Sequence, residues 1–198
     1  MLGTRPNLAF TVGALTRFSL NPSEDHFTLL VRLLGFLKFS RWRYLLFKSG
    51  NKTVDGYTDA NFAGNVDGQK STSGYTFYIG NTVFSWRSRL QDTVANSTME
   101  AKYIALYHTS LNAAWIKNFF EQIGMAFAHL IPIWCDNQPA INVAKGEAPH
   151  KKAKHFNVKT HVVRDHIECR ITDVDYVPTV ENQVDTLGAK YTFLIGYW

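Results

Sequence analysis

The chain has 198 residues, 45% of them hydrophobic and 19% charged, with a net charge of +5. That balance supports one full domain plus an extra piece around a sizeable core, and the basic excess is compatible with a polyanionic partner. Two cysteines, Cys135 and Cys169, cannot build a disulfide framework and fit no zinc spacing, and no apolar run approaches the ~18 residues of a membrane span. A reducing, intracellular compartment is expected, cytoplasmic or nuclear, with no membrane partner.

Residues 1–50 differ in texture from the rest. Asn21-Pro22-Ser23-Glu24-Asp25 reads as a helix start, with Asn as N-cap, Pro at the first helical position and acids in the first turn. Phe27, Leu30, Val31, Leu34 and Leu37 follow at helical spacing, and this stripe must pack on the following domain or on a partner. Tyr44–Phe47 reads as a strand and Ser49–Lys52 as a turn. From residue 54 the pattern changes. Val54 to Asp59 is a strand ending on a carboxylate; 75–79 and 82–86 are two more, joined through Gly80-Asn81. Short links between three strands imply an antiparallel meander.

Arg87 to Asp92 reads as a basic–polar loop. Ser97 then caps the longest helix, with Glu100 at the third helical position as in a capping box, and Gly124 ends it. Ile104, Tyr107, Leu111, Trp115, Phe119 and Ile123 form the stripe expected to cover the sheet. Ile131 to Asp136 is another strand ending on Asp, and a short helix runs from Asn137 to Lys145. A basic loop carries Lys151, Lys152 and Lys154; a helix follows over 156–168, a strand over 171–177 and a last helix from Glu181. Strands separated by helices pair in parallel, so the expected fold class is α/β, with a mixed five-stranded sheet (three antiparallel strands, then parallel ones), helices on both faces and a small N-terminal helical segment.

Four acids fall at element ends: Asp59, Glu100, Asp136 and Asp185. Each has an ordinary explanation: Glu100 as a capping residue, Asp136 as a strand terminator and helix cap, Asp185 as a partner of a helix dipole. The joint pattern points elsewhere, because the first strand and the next parallel strand end on one edge, and helices on that sheet can bring the other two acids there. Clustered carboxylates repel, and cations remove that cost. Oxygen ligands without His or Cys select Mg²⁺ or Mn²⁺, and two such ions roughly 4 Å apart suit phosphodiester hydrolysis.

Ordered blocks carry a family resemblance: Tyr57-Thr58-Asp59-Ala60-Asn61-Phe62-Ala63-Gly64, Ser71-Thr72-Ser73-Gly74-Tyr75, Ser97-Thr98-Met99-Glu100-Ala101-Lys102-Tyr103, Cys135-Asp136-Asn137-Gln138-Pro139-Ala140-Ile141, Lys154-His155-Phe156 with His161, and Tyr176-Val177-Pro178-Thr179. Residues 52–187 resemble the RNase H domain of copia/Ty-type LTR retrotransposon polyproteins. Arg5-Pro6-Asn7-Leu8-Ala9 and Asn21-Pro22-Ser23 resemble the end of the reverse transcriptase that precedes it. The division implied is 1–50, a helical reverse-transcriptase remnant; 51–190, an RNase H-like domain; and 191–198, an apolar tail. The polymerase palm is absent, which points to a fragment of such a polyprotein or to a truncated or host-retained copy.

The resemblance implies hydrolysis of the RNA strand of RNA–DNA hybrids by two metal ions (Mg²⁺, or Mn²⁺), with Asp59, Glu100, Asp136 and Asp185 as the metal-binding acids and Asp59 bridging both ions. It implies minor-groove contacts from Asn96 and Ser97, where 2′-hydroxyls are displayed, with Gln138 a further candidate. Arg87, Arg89, Lys151, Lys152 and Lys154 are candidate phosphate contacts, and reverse transcriptase or other Pol segments are candidate partners through residues 1–50. Two departures stand out. The link between the last strand and last helix, Pro178-Thr179-Val180-Glu181, is short and holds no His; His155 and His161 lie elsewhere. After Asp185 the chain reads Thr186-Leu187-Gly188-Ala189-Lys190, and a glycine there weakens a helix by about 1 kcal/mol relative to alanine. The rival readings are a catalytically inactive nucleic-acid-binding module, an interface protein, and an integrase-like nuclease, the last disfavoured because no zinc-binding His/Cys segment precedes the blocks.

Overall fold

The computed structural model describes residues 4–47, 53–65, 68–125, 130–147 and 154–184, with the side chains of 154 and 155 excepted. Its centre is a five-stranded sheet: β1 (Val54–Asn61), β2 (Thr72–Ile79), β3 (Thr82–Leu90), β4 (Ile131–Cys135) and β5 (Thr172–Tyr176), in spatial order β3-β2-β1-β4-β5. β1 pairs antiparallel with β2 and parallel with β4, so the sheet changes sense at β1. Thr58 lies opposite Cys135 in that parallel pairing, which puts Asp59 and Asp136 at the next register position on one edge. The mixed sheet expected from the sequence is therefore present.

Among the described residues five α-helices accompany it: α1 (Ala9–Leu15), α2 (Glu24–Phe39), α3 (Thr98–Gln122), α4 (Gln138–Lys145) and α5 (Lys154–Glu168). The main core joins Phe77 of β2, Ile133 of β4 and Val174 of β5 to Leu106 and Ile116 of α3 and Phe156 and Val163 of α5. A smaller cluster sits elsewhere, where Ala9 of α1 and Val184 of the C-terminal segment meet, with Tyr57 and Trp86 packed against them. No helix among the described residues is long and apolar enough to cross a membrane.

α3 lies on β1 by a face that the sequence did not advertise. Ala101, Ala105, Thr109 and Ala113 are buried along it, with Tyr103, Leu106, Ile116 and Phe120 beside them. Small residues let the helix backbone approach the strand: the Thr109 hydroxyl donates to the Ala105 carbonyl at 2.8 Å and lies 2.9 Å from the Thr58 hydroxyl. The expected stripe keeps only Ile104 buried and Tyr107 half-buried; Leu111, Trp115, Phe119 and Ile123 are exposed, Trp115 by 60%. Trp115 and Phe119 stack on each other at 5.4 Å instead.

α2 departs in the same way. Its N-cap is Ser23, not Asn21, and Pro22 lies outside the helix; Ser23 and His26 cap one another, the Ser23 N–H donating to His26 Nδ1 at 3.0 Å. The helix buries Leu33 (3% exposed), whereas Phe27, Leu30, Val31 and Leu34 of the expected stripe face outward, Phe27 by 66%. Tyr44–Phe47 is not a strand; it has no regular structure, and the Thr82 hydroxyl donates to the Leu46 carbonyl. Ser49–Lys52 lies outside the described residues.

Three boundaries also move. β1 continues past Asp59 to Asn61. β3 runs on to Leu90, so Arg87 and Arg89 belong to a strand and not to a loop: Trp86, Ser88 and Leu90 alternate with them, Leu90 pairs with Thr72, and the edge strand carries the charges on its exposed positions. Thr179–Glu181 form a single 3-10 turn, and Asn182 is extended, so the expected last helix does not begin at Glu181.

Candidate functional site

Asp59 and Asp136 do converge. Between them lies a residue the sequence reading passed over. Lys102 Nζ stands 2.6 Å from both carboxylate oxygens of Asp136 and 3.1 Å from Asp59 Oδ1. The Asp136 side chain is 1% exposed and that of Lys102 14%, so this is a largely desolvated ion pair. Burial opposes the lysine's charge, but the hydrogen bonds and charges of Asp136 and Asp59 outweigh it and hold the ammonium above the ordinary lysine range. Asp136 also accepts from the Thr179 hydroxyl at 3.0 Å, which ties the turn after β5 to the site. Asp136 does not cap α4; Asn137 does, accepting from the Ala140 N–H at 2.9 Å.

Lys102 had a physical signal. It follows the first turn of α3, near the positive end of the helix dipole, where a cation is disfavoured unless an anion offsets it. Asn182 was missed as well. Its side-chain amide donates to the Thr58 carbonyl at 3.0 Å, and its carbonyl oxygen accepts from the Val184 N–H at 3.1 Å. The C-terminal segment is thereby latched to the strand residue before Asp59.

Glu100 is buried and held from its own loop. Its Oε2 accepts from the Asn96 backbone N–H at 3.0 Å and from Asn96 Nδ2 at 3.1 Å, while its N–H donates to Ser97 Oγ at 3.2 Å. Ser97 is the N-cap as expected, but the carboxylate reaches Asn96 rather than closing the capping box on Ser97. Among the described residues no three His, Cys, Asp or Glu side chains gather as a metal-binding group. Asp185, Lys151 and Lys152 lie outside the described residues, and Lys154 begins α5 rather than ending a loop.

Of the other candidates, Asn96 and Gln138 are exposed and Ser97 half-buried, at the starts of α3 and α4. Arg87 and Arg89 are exposed on β3, and Arg89 pairs with Asp92 at 3.3 Å. Lys145, the last residue of α4, is engaged by Asp175 at 3.0 Å and Asp173 at 3.7 Å. His161 is exposed on α5. Cys135, immediately before Asp136, is buried, and that burial pushes its thiol up to about 12, which removes it as a nucleophile.

Comparison with known proteins gives the chain its relatives. The chain is 35% identical over 187 residues to the retrovirus-related Pol polyprotein from transposon TNT 1-94 of Nicotiana tabacum, a match covering 94% of this chain and 14% of that protein. It is 32% identical to the Pol polyprotein from transposon RE2 of Arabidopsis thaliana, over 93% of this chain and 13% of that protein. The chain is related to one segment of retrotransposon Pol polyproteins. It spans about one seventh of the length of those relatives, and a match this broad takes in most of the N-terminal helices too. It is also 40% identical over 117 residues to secreted RxLR effector protein 161 of Plasmopara viticola, covering 59% of this chain and 82% of that protein. No protein-family model matches the chain.

Solved structures agree on the fold. RNase H1 from the halophilic archaeon Halobacterium salinarum NRC-1 superposes with a TM-score of 0.52 at 17% identity, covering 70% of this chain and 96% of that one. LC11-RNase H1 in complex with an RNA/DNA hybrid gives 0.52 at 14% identity, over 70% of this chain and 95% of that one.

The two converging acids fit a hard divalent cation. Asp59 Oδ1 is buried, with the Lys102 ammonium 3.1 Å away beside it. Two carboxylates aimed at one cationic position, with a single lysine charge between them, leave the site one charge short of neutrality.

Proposed function

We propose that the domain hydrolyses the RNA strand of RNA–DNA hybrids during retrotransposon reverse transcription, with Mg²⁺ or Mn²⁺ held by Asp59, Asp136, Glu100 and Asp185. The observation that carries this reading is the placement of Asp59 and Asp136 side by side just past the last parallel pair of β1 and β4, the edge where open α/β sheets bind ligands. Bound divalent ions would supply electrostatic stabilisation of the phosphodiester as charge develops on its oxygens. Asp59, whose side chain stays partly open to solvent beside Lys102, would help to hold them. Glu100, held by Asn96 at the start of α3, would complete the set, and Asn96 and Ser97 there, with Gln138 on the neighbouring helix start, would contact the minor groove. Thr179 and Asn182 are positioning residues: one fixes the Asp136 carboxylate, the other brings the chain leading to Asp185 against β1. Arg87, Arg89, Lys151, Lys152 and Lys154 serve as phosphate contacts. Residues 1–50 dock on the reverse-transcriptase portion of the polyprotein through the outward apolar face of α2.

A second reading, an inactive module that still binds nucleic acid, is favoured by one feature: the carboxylates are already engaged, Glu100 by Asn96 and Asp136 by Lys102 and Thr179. The test is cleavage of an end-labelled hybrid in Mg²⁺ and in Mn²⁺, beside duplex RNA, duplex DNA and single-stranded RNA. Cutting confined to the RNA of the hybrid supports the nuclease; salt-dependent hybrid binding without cutting supports the inactive module.

A further inference from the structure

We propose that Lys102 is a tethered counter-ion of the carboxylate site, occupying the cation position of the metal-free protein and yielding it when a divalent ion binds, so that this lysine sets the metal affinity. The inference rests on the metal reading above and adds to it a residue whose effect on metal is opposite to that of a ligand. Three observations carry it. Nζ is equidistant from both Asp136 oxygens at 2.6 Å and reaches Asp59 Oδ1 at 3.1 Å, so its charge stands where a shared cation would stand. Asp136 is almost wholly buried, so it cannot rely on water to offset its charge and needs a cation in every state of the protein. Lys102 comes from α3 rather than from either strand, on a long unbranched stem, and can swing away without moving β1 or β4.

The consequence is a competition. A divalent ion entering between Asp59 and Asp136 must displace an ammonium already paired with both, and that displacement weakens its binding. Removing the ammonium while keeping the stem lifts the competition, and the metal-free protein loses its counter-ion at the same time. Lys102→Met should therefore melt at lower temperature without metal, be raised further by added ions, and bind Mn²⁺ at least about tenfold more tightly, tenfold being 1.36 kcal/mol. Lys102→Arg, which keeps the charge, should bind Mn²⁺ within about twofold of the unaltered protein.

The experiment is Mn²⁺ titration of the full chain, followed by the electron paramagnetic resonance of free Mn²⁺ and by thermal melting, on the unaltered protein, Lys102→Met, Lys102→Arg and Lys102→Met/Asp136→Asn. The expected result is tighter Mn²⁺ binding in Lys102→Met only, lost again in the double variant. Equal or weaker binding in Lys102→Met overturns the proposal and makes Lys102 a residue that organises the site for the ion. If Lys102→Met does not fold without metal, its recovery on adding Mn²⁺, and not on adding equal ionic strength of NaCl, supports the proposal, and failure to recover overturns it. Hybrid cleavage by the unaltered protein, read separately, keeps the nuclease reading standing if only this inference fails; absence of Mn²⁺ binding in every variant overturns both.

Discussion

Gly56 lies three residues before Asp59 on β1, and its lack of a side chain is a packing requirement. A Cβ at this position would stand 2.7 Å from Phe77 Cε1, 3.2 Å from Cδ1 and 3.3 Å from Cζ. Carbon atoms prefer about 3.5–4.0 Å, so the ring would have to move. Phe77 pairs across from Gly56, is 0% exposed, and packs edge-on to Tyr75 at 5.6 Å, which leaves the ring little room. Overpacking of this kind costs about 1–3 kcal/mol. Alanine regains roughly 0.5–1 kcal/mol over glycine inside a strand, so Gly56→Ala should lose about 1–2 kcal/mol net. Phe77→Leu removes the atoms in conflict and should itself be destabilising through the cavity it leaves. In that background Gly56→Ala should be neutral or stabilising, a coupling of about 1 kcal/mol or more. Urea unfolding followed by circular dichroism, on the four members of the cycle, measures it. Additivity within about 0.3 kcal/mol would refute the reasoning.

Asn182→Ala removes a donor to the Thr58 carbonyl and an acceptor for the Val184 N–H, both buried. At roughly 1 kcal/mol per hydrogen bond, it should cost about 2 kcal/mol by urea unfolding; a loss under about 0.5 kcal/mol would show that the latch is not needed. His108 and His166 both have depressed pKa values, chiefly through burial, with Lys159 and Arg87 adding to the effect at His108. The unfolded chain therefore takes up protons first, so stability should be full above about pH 6.5 and fall as pH drops from there toward the folded values. An unfolding midpoint unchanged between pH 7 and pH 5.5 in a His108→Gln/His166→Gln variant, beside a falling one in the unaltered protein, would assign the loss to these two. Phe27→Glu with Leu34→Glu, on the outward face of α2, should leave the unfolding midpoint of this chain within about 0.5 kcal/mol and abolish co-purification with the preceding polymerase segment; a large loss of stability would mean that face is covered within the chain.

The sheet was legible because strand punctuation, helix caps and the rule that helical crossovers give parallel pairing all agree, and they deliver β1 beside β4 with Asp59 and Asp136 level. The helix faces were not. Counting large apolar residues selected Leu111, Trp115 and Phe119 on α3, whereas close approach to Thr58 favours Ala101, Ala105, Thr109 and Ala113, which an apolar count undervalues. On α2 the same counting chose Phe27, Val31 and Leu34 over Leu33. Arg87 and Arg89 suggested a loop because charge breaks most strands, yet an edge strand with one open face accommodates them. In the site, the acids were visible as chemistry, but their partners were not. Lys102, Thr179 and Asn182 reach the acids or β1 from 34 to 124 residues away along the chain, and no local pattern encodes such contacts.

The most direct measurement compares the unaltered chain with Asp59→Asn on a hybrid labelled on its RNA strand, in Mn²⁺, with hybrid binding recorded for both. The account predicts cutting of the RNA by the unaltered chain, none by the variant, and binding by both. Equal cutting by the two would remove Asp59 from the chemistry, and no cutting by either, with binding intact, would contradict the nuclease and leave the inactive hybrid-binding module.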